Sequence, residues 1–183
     1  MSDSLSPFET LQQLAQRVAE AAAPIPDRAD SAESWQAIAF EFMDETFVIP
    51  MKDVKEVFPT PGVTRIPGVQ KWVKGIANVR GDILALIDLN DFVSAGRVSN
   101  PTLSRVVAVE IGEMRFGIVV DRVIGMRQVN QGAVLSDDAA ASSCPEEIRD
   151  YVSGAVQLDD QEVNLFEPLK LVKSETFDNV STL

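Results

Sequence analysis

The chain has 183 residues, 45% of them hydrophobic, with 28 acids against 16 Lys and Arg, a net charge of −12 and a pI near 4.4. That length is enough for a real core. The charge excludes nucleic acid and anionic membrane surfaces as natural partners, since both repel such a field. There is no histidine and one cysteine, which removes the commonest general base and metal ligand and any internal disulfide.

In chain order, Ser6-Pro7-Phe8-Glu9 carries a capping-box pattern with Pro at the first helical position. Phe8, Leu11, Leu14, Ala15, Val18 and Ala22 then recur at helical spacing. The spacing predicts a helix over 6–22, ended by Pro24 and Pro26. Its apolar stripe can pack on the body of its own chain or dock on a partner. A polar linker follows over 27–34. The Met-Ser-Asp-Ser-Leu-Ser start lacks the basic and apolar regions of a secretion signal, and no apolar run reaches transmembrane length. These features point to the cytoplasm.

From Trp35 the pattern is β. Residues 36–43 alternate, Asp44-Glu45 turn the chain, and Thr46–Ile49 return. Pro50 to Val57 fits a short helix or a bent strand. Residues 59–68, with Pro59, Pro61, Gly62, Pro67 and Gly68, form an irregular loop. Residues 75–79 and 83–87 then form a hairpin around Arg80-Gly81-Asp82, and Asp88 caps a helical turn through Phe92. A Ser/Gly/Asn/Pro linker spans 94–102. Strands follow at 104–111, 114–120 and 122–129. A second loop runs from 130 to 150 and holds Cys144, read as an ordinary free thiol. Strands at 151–158 and 161–166 and a helix opened by Glu167-Pro168 complete the body, with residues 174–183 expected to fray.

The two halves repeat. A shift of 69 places Phe47 on Phe116, Ile49 on Ile118 and Val54 on Val123. A shift of 79, ten more because the second loop is longer, places Trp72 on Tyr151, Gly75 on Gly154, Leu86 on Leu165 and Asp88 on Glu167. The chain therefore reads as two copies of one small β-unit of about five strands. The hairpin tip breaks the repeat: Arg80-Gly81-Asp82 corresponds to Asp159-Asp160-Gln161. An arginine required for folding should recur, so Arg80 reads as a contact residue. The competing reading pairs it with a nearby acid, Asp82 or Asp88.

Four segments, in order, resemble the CheW family, the coupling proteins of bacterial chemosensory arrays: Asp53-Val-Lys-Glu-Val57, Gly75-Ile-Ala-Asn-Val-Arg-Gly-Asp-Ile-Leu-Ala-Leu-Ile-Asp-Leu89, Phe116-Gly-Ile-Val-Val-Asp-Arg-Val123 and Tyr151-Val-Ser-Gly154. Trp72-Val-Lys-Gly-Ile-Ala-Asn-Val-Arg-Gly81 and the helical N-terminal extension are similar to the PilI branch, of type IV pilus systems. Ala85 stands where the family commonly has proline.

The resemblance implies a mainly β protein. Two intertwined five-stranded SH3-like barrels, about 35–93 and 103–166, would lie within a domain over 35–173, between a helical extension over 1–34 and a flexible tail over 174–183. It implies an adaptor that couples the cytoplasmic tip of a methyl-accepting chemoreceptor to the regulatory domain of a CheA-type histidine kinase. Val54, Glu56, Arg80, Gly81, Val123 and Gly154 would face the receptor, and Val57 and Gly75 the kinase. The alternatives are a structural pilus-base or array protein without kinase coupling, and a hydrolase using Asp88 and Asp121. No phosphate loop or Gly-x-Gly-x-x-Gly is present, so no cofactor or metal is expected.

Overall fold

Among the described residues, apolar runs and tight turns build eleven strands. The structure, a computed structural model, describes residues 34–93, 102–130, 133–136, 143–158 and 160–182. The helix expected over 6–22, its linker and most of the 94–102 linker lie outside the described residues. The strands are β1 (Ser34–Phe42), β2 (Glu45–Pro50), β3 (Val54–Pro59), β4 (Val73–Val79), β5 (Asp82–Asp88), β6 (Arg105–Ile111), β7 (Met114–Val120), β8 (Arg122–Asn130), β9 (Val134–Ser136), β10 (Val152–Leu158) and β11 (Gln161–Phe166). Short helices follow β5 (α1, Leu89–Phe92) and β11 (α2, Pro168–Val172; α3, Glu175–Asp178), and 3-10 turns cover Met51–Asp53 and Glu146–Tyr151.

Two sheets result, ordered β8-β1-β2-β11-β10-β9 and β3-β6-β7-β5-β4. Neither sheet belongs to one half of the chain. Each copy of the repeat gives its first two strands to one sheet and the rest to the other. The registers obey the repeat. The parallel pair Asn164↔Phe47 matches Ala85↔Phe116, because 47 shifts by 69 to 116 and 85 by 79 to 164. Phe40↔Val123 matches Val109↔Val54 in the same way. Bulges recur at Val73/Gly75 and Val152/Gly154, and the bond from Asp88 N–H to the Trp72 carbonyl recurs from Glu167 to Tyr151, at 2.8 and 2.9 Å.

The period-2 alternation divides the interior into three cores. On β1, Ala37 and Ala39 join Val48, Val129, Val156 and Val163 inside the first sheet. On β6, Val106 and Ala108 join Ala77, Leu84, Leu86 and Val119 inside the second. The intervening residues, Ile38, Phe40 and Phe42 on β1 and Val107 and Val109 on β6, face a large core between the sheets. The two inner cores use largely equivalent positions, with volume exchanged between them. Gly117 stands where the first sheet has Val48, and Val106 stands where it has Ala37. A Cβ on Gly117 would lie 2.5 Å from Val106 Cγ1, so the larger residue fills the space that the glycine leaves.

Several boundaries differ from the sequence pattern. The first turn is Met43-Asp44, both at positive φ (55° and 65°), one residue earlier than the acidic pair suggests. Pro50 to Val57 is both helical and extended: a 3-10 turn, then β3. The loop over 130–150 contains β9 and a 3-10 turn. Residues 174–182 run as a strap. Ser174 caps α3, Phe177 stacks on Trp72 at 5.9 Å, and Thr182 N–H bonds the Gly68 carbonyl at 3.0 Å. One aromatic in a polar stretch is enough to dock it, because Trp72, Phe92 and Phe116 surround that ring. Glu167 occupies the position of the capping Asp88 but caps nothing with its side chain; Pro168, preset for the first turn, opens that helix instead.

Candidate functional site

The hairpin β4–β5 turns on Arg80 (φ 54°) and Gly81 (φ 99°). Two positive φ values in a two-residue loop match the right-handed twist of the strands. Asn78 fixes the turn, its Oδ1 accepting from Gly81 N–H at 2.9 Å. This holds the Arg80 side chain 85% exposed, with one Nη 3.6 Å from Glu56 on β3. Both competing acids are engaged elsewhere: Asp82 with Arg115 at 2.9 Å and Asp88 with Lys74 at 2.5 Å. Arg80 therefore pairs with neither Asp82 nor Asp88. The Glu56–Arg80 pair also shows the second sheet curling, since it joins edge strand β3 to the tip beyond edge strand β4. At this separation and exposure it contributes about 0–1 kcal/mol.

Val54 and Val123, equivalent in the repeat, both border the core between the sheets; Val54 is buried and Val123 half-buried. Val57 packs on the same core from β3. Arg122, beside Val123, forms a two-pronged pair with Glu41 that raises its pKa further. Gly81 is exposed, and a Cβ there would meet nothing within 4 Å. Gly75 and Gly154 are buried. At Gly75, φ is +135° and a Cβ would lie 2.1 Å from the Thr64 carbonyl oxygen. That glycine lets the 59–72 loop lie on β4, where Thr64 and Ile76 exchange two backbone hydrogen bonds of 2.8 and 2.9 Å. The structure thus brings Glu56 and Arg80 together and sets Val54, Val57 and Val123 on one core. Gly75 and Gly154 are backbone positions inside separate sheets.

Two exposed apolar residues beside the tip escape a strand-by-strand reading. Ile83 (66% exposed) and Met114 (44%) stand two residues before the partners Ala85 and Phe116 on β5 and β7. Their repeat equivalents are Glu162 and Glu45. The repeat contains this signal, because the same fold position accepts a glutamate where the face is only solvated.

Asp88 and Asp121 do approach one another, through Asn90. Asp88 Oδ1 accepts from Asn90 and Asp91 N–H at 3.0 and 3.4 Å, which caps α1. Asp121 accepts from Asn90 Nδ2 and from Met43 N–H, both at 3.1 Å. Both carboxylates are engaged in holding backbone and turn, and Lys74 balances the buried Asp88. Among the described residues, no group of acids, Cys or His is arranged to hold a metal, and no helix is long and apolar enough to cross a membrane.

The CheW-like domain family matches residues 36–176. Protein PilI of Pseudomonas aeruginosa is 39% identical over 127 residues, 69% of this chain and 71% of that protein. Protein FrzA of Myxococcus xanthus is 25% identical over 154 residues, covering 81% and 94%. The chemotaxis protein CheW of Treponema pallidum is 24% identical over 155 residues, covering 82% and 89%. The crystal structure of the scaffolding protein TtCheW from Thermoanaerobacter tengcongensis superposes with a TM-score of 0.66 at 23% identity, over 78% of this chain and 94% of that one. With the duplicated strands, the curled sheets and the Asn-x-Arg-Gly tip in one chain, the protein belongs to the CheW-like domain family.

Proposed function

We propose that this protein is a non-catalytic adaptor that couples a methyl-accepting chemoreceptor to a CheA-type histidine kinase in a type IV pilus chemosensory system. It would work in the cytoplasm, at membrane-associated receptor arrays. The observation that carries this reading is Arg80: an exposed guanidinium on a rigid turn, loosely paired at 3.6 Å, whose repeat equivalent is an acid. The receptor tip would meet Arg80, Gly81 and Glu56, then the inter-sheet border at Val54 and Val123, with Gly154 shaping β10 of the first sheet behind it. Ile83 and Met114 extend this face with the apolar contact that an amphipathic helical hairpin requires. The kinase regulatory domain would use the face bounded by Val57 and the loop seated on Gly75. The engagement of Asp88 and Asp121 in structural hydrogen bonds supports a binding role over hydrolysis.

Titration of a receptor-tip fragment tests the reading. Arg80→Ala should weaken binding roughly ten- to a hundredfold, since a hydrogen bond to a charged group is worth about 1.5–3 kcal/mol and each 1.4 kcal/mol is about tenfold. Its melting temperature should stay within a degree or two, because the Glu56 pair contributes little. Arg80→Lys should rescue only part of the loss if the contact is two-pronged. Equal affinities for wild type and Arg80→Ala would remove Arg80 from the receptor face.

A further inference from the structure

Residues 57–81 contain no acid and four cations, Arg65, Lys71, Lys74 and Arg80, in a chain of net charge −12. Three of these cations line a cleft of about 430 Å³ with Ile66, Val69, Val73 and one acid, the exposed Asp91. The cleft lies at the start of β4, and Arg80 lies beyond its end. Seven residues at about 3.3 Å each put roughly 20 Å between them. Lys74 is neutralised by buried Asp88. Arg65 and Lys71 are exposed and have no ion-pair partner among the described residues, whereas Lys55, Arg115 and Arg122 each hold an acid of their own chain.

The repeat again separates scaffold from use. Asp150 stands at the position of Lys71, and Ser153 at that of Lys74. The fold therefore does not need cations here. The walls are also fixed in advance. Thr64 pairs with Ile76 on one side, and Gln70 N–H bonds the Val180 carbonyl of the C-terminal strap at 2.9 Å on the other. Trp72 anchors the segment between Phe92 and Phe177. A pre-ordered cleft loses little conformational freedom on binding.

We propose that this cleft docks an acidic peptide segment of a protein partner, with its carboxylates on Arg65 and Lys71 and an apolar side chain against Ile66, Val69 and Val73. The cleft lies on the 59–72 loop, part of the face proposed above for the kinase; it is separate from the Arg80 tip, and neither depends on the other. The test is fluorescence anisotropy of the full chain with a short labelled peptide of glutamates around a central pair of leucines. An analogue with every glutamate replaced by glutamine serves as control. The acidic peptide should bind saturably and the analogue at least about tenfold more weakly. Raising salt from about 0.05 to 0.5 M should weaken the acidic peptide by a similar factor, as screening shortens. Arg65→Glu with Lys71→Glu turns attraction into repulsion, should abolish binding, and should leave the melt unchanged, since both side chains are exposed. Arg80→Ala should bind the peptide as wild type does, so this result and the receptor titration fail independently. The proposal is overturned by absence of saturable binding up to millimolar peptide, by equal binding of the glutamine analogue, or by equal binding to the doubly reversed variant. It is also overturned if sedimentation shows that the doubly reversed variant loses a self-association of the wild type while the peptide never binds, because the occupant is then a second copy presenting its acidic 146–150 turn.

Discussion

Gly75 carries more of the fold than any neighbour of similar size. Its φ of +135° and the 2.1 Å approach of a Cβ to the Thr64 oxygen leave no place for a side chain. Gly75→Ala should therefore cost about 3 kcal/mol or more, read as a loss of Tm by several degrees, whereas Gly81→Ala should cost about 1 kcal/mol, from its φ alone. Any loss of kinase binding in a Gly75 variant must be compared with its melt before it is assigned to contact. Cys144 is a second buried position: burial raises its thiol pKa, opposed by Arg149 and reinforced by Glu45. The native thiol should react with a disulfide reagent at pH 8 at least about tenfold more slowly than the unfolded one. Burial likewise raises the Asp53 carboxyl above its ordinary value, against the lowering effect of Lys52. A raised carboxyl means that the folded state binds the proton more tightly. Its contribution is thus fully present below the ordinary value of 3.8 and is lost as pH rises through the folded value. Asp53→Asn should raise Tm slightly at pH 7 and leave it unchanged near pH 3; a lower Tm at pH 7 would show that the charge is needed.

The C-terminal strap is the element that local pattern misjudged. Ser174-Glu175-Thr176-Phe177-Asp178 holds one apolar residue, too little to define a buried face, yet Phe177 closes an aromatic cluster with Trp72, Phe92 and Phe116. Phe177→Ala should destabilise by about 2 kcal/mol, below the range for a fully buried ring because this one is half-buried. It should also shift the emission of Trp72 to the red as water reaches the indole. Unchanged emission would mean that the strap does not cover it. Other elements were legible for a plain reason: β4, β5, β6 and β7 are short, largely apolar runs bounded by turn residues, which located them within two residues. The Glu56–Arg80 pair was not legible, because it depends on two edge strands meeting when a sheet curls. The exchange of strands between copies came from the family resemblance alone. A contiguous lobe and an exchanged one place Ala37 and Val106 in equivalent surroundings, so periodicity cannot distinguish them.

At the scale of the molecule, that exchange makes the two halves interdependent. Each sheet needs β1–β2 or β6–β7 from one copy and the remaining strands from the other, and the largest core lies between the sheets. Residues 34–93 expressed alone should show little structure by circular dichroism, and so should residues 102–183. Mixed, they should regain the β spectrum and one cooperative melt. A folded half on its own would refute the interdependence. A pair of identical chains exchanging strands in this way would carry every surface twice. Joining the copies covalently let each position diverge from its equivalent: arginine opposite aspartate at the tips, lysine opposite aspartate before β4 and β10, isoleucine and methionine opposite glutamates. On the proposed reading, the joined molecule would have a valence of one for whatever Arg80 grips and one for whatever enters the basic cleft, and would link unlike partners in fixed one-to-one stoichiometry instead of bridging two of the same kind.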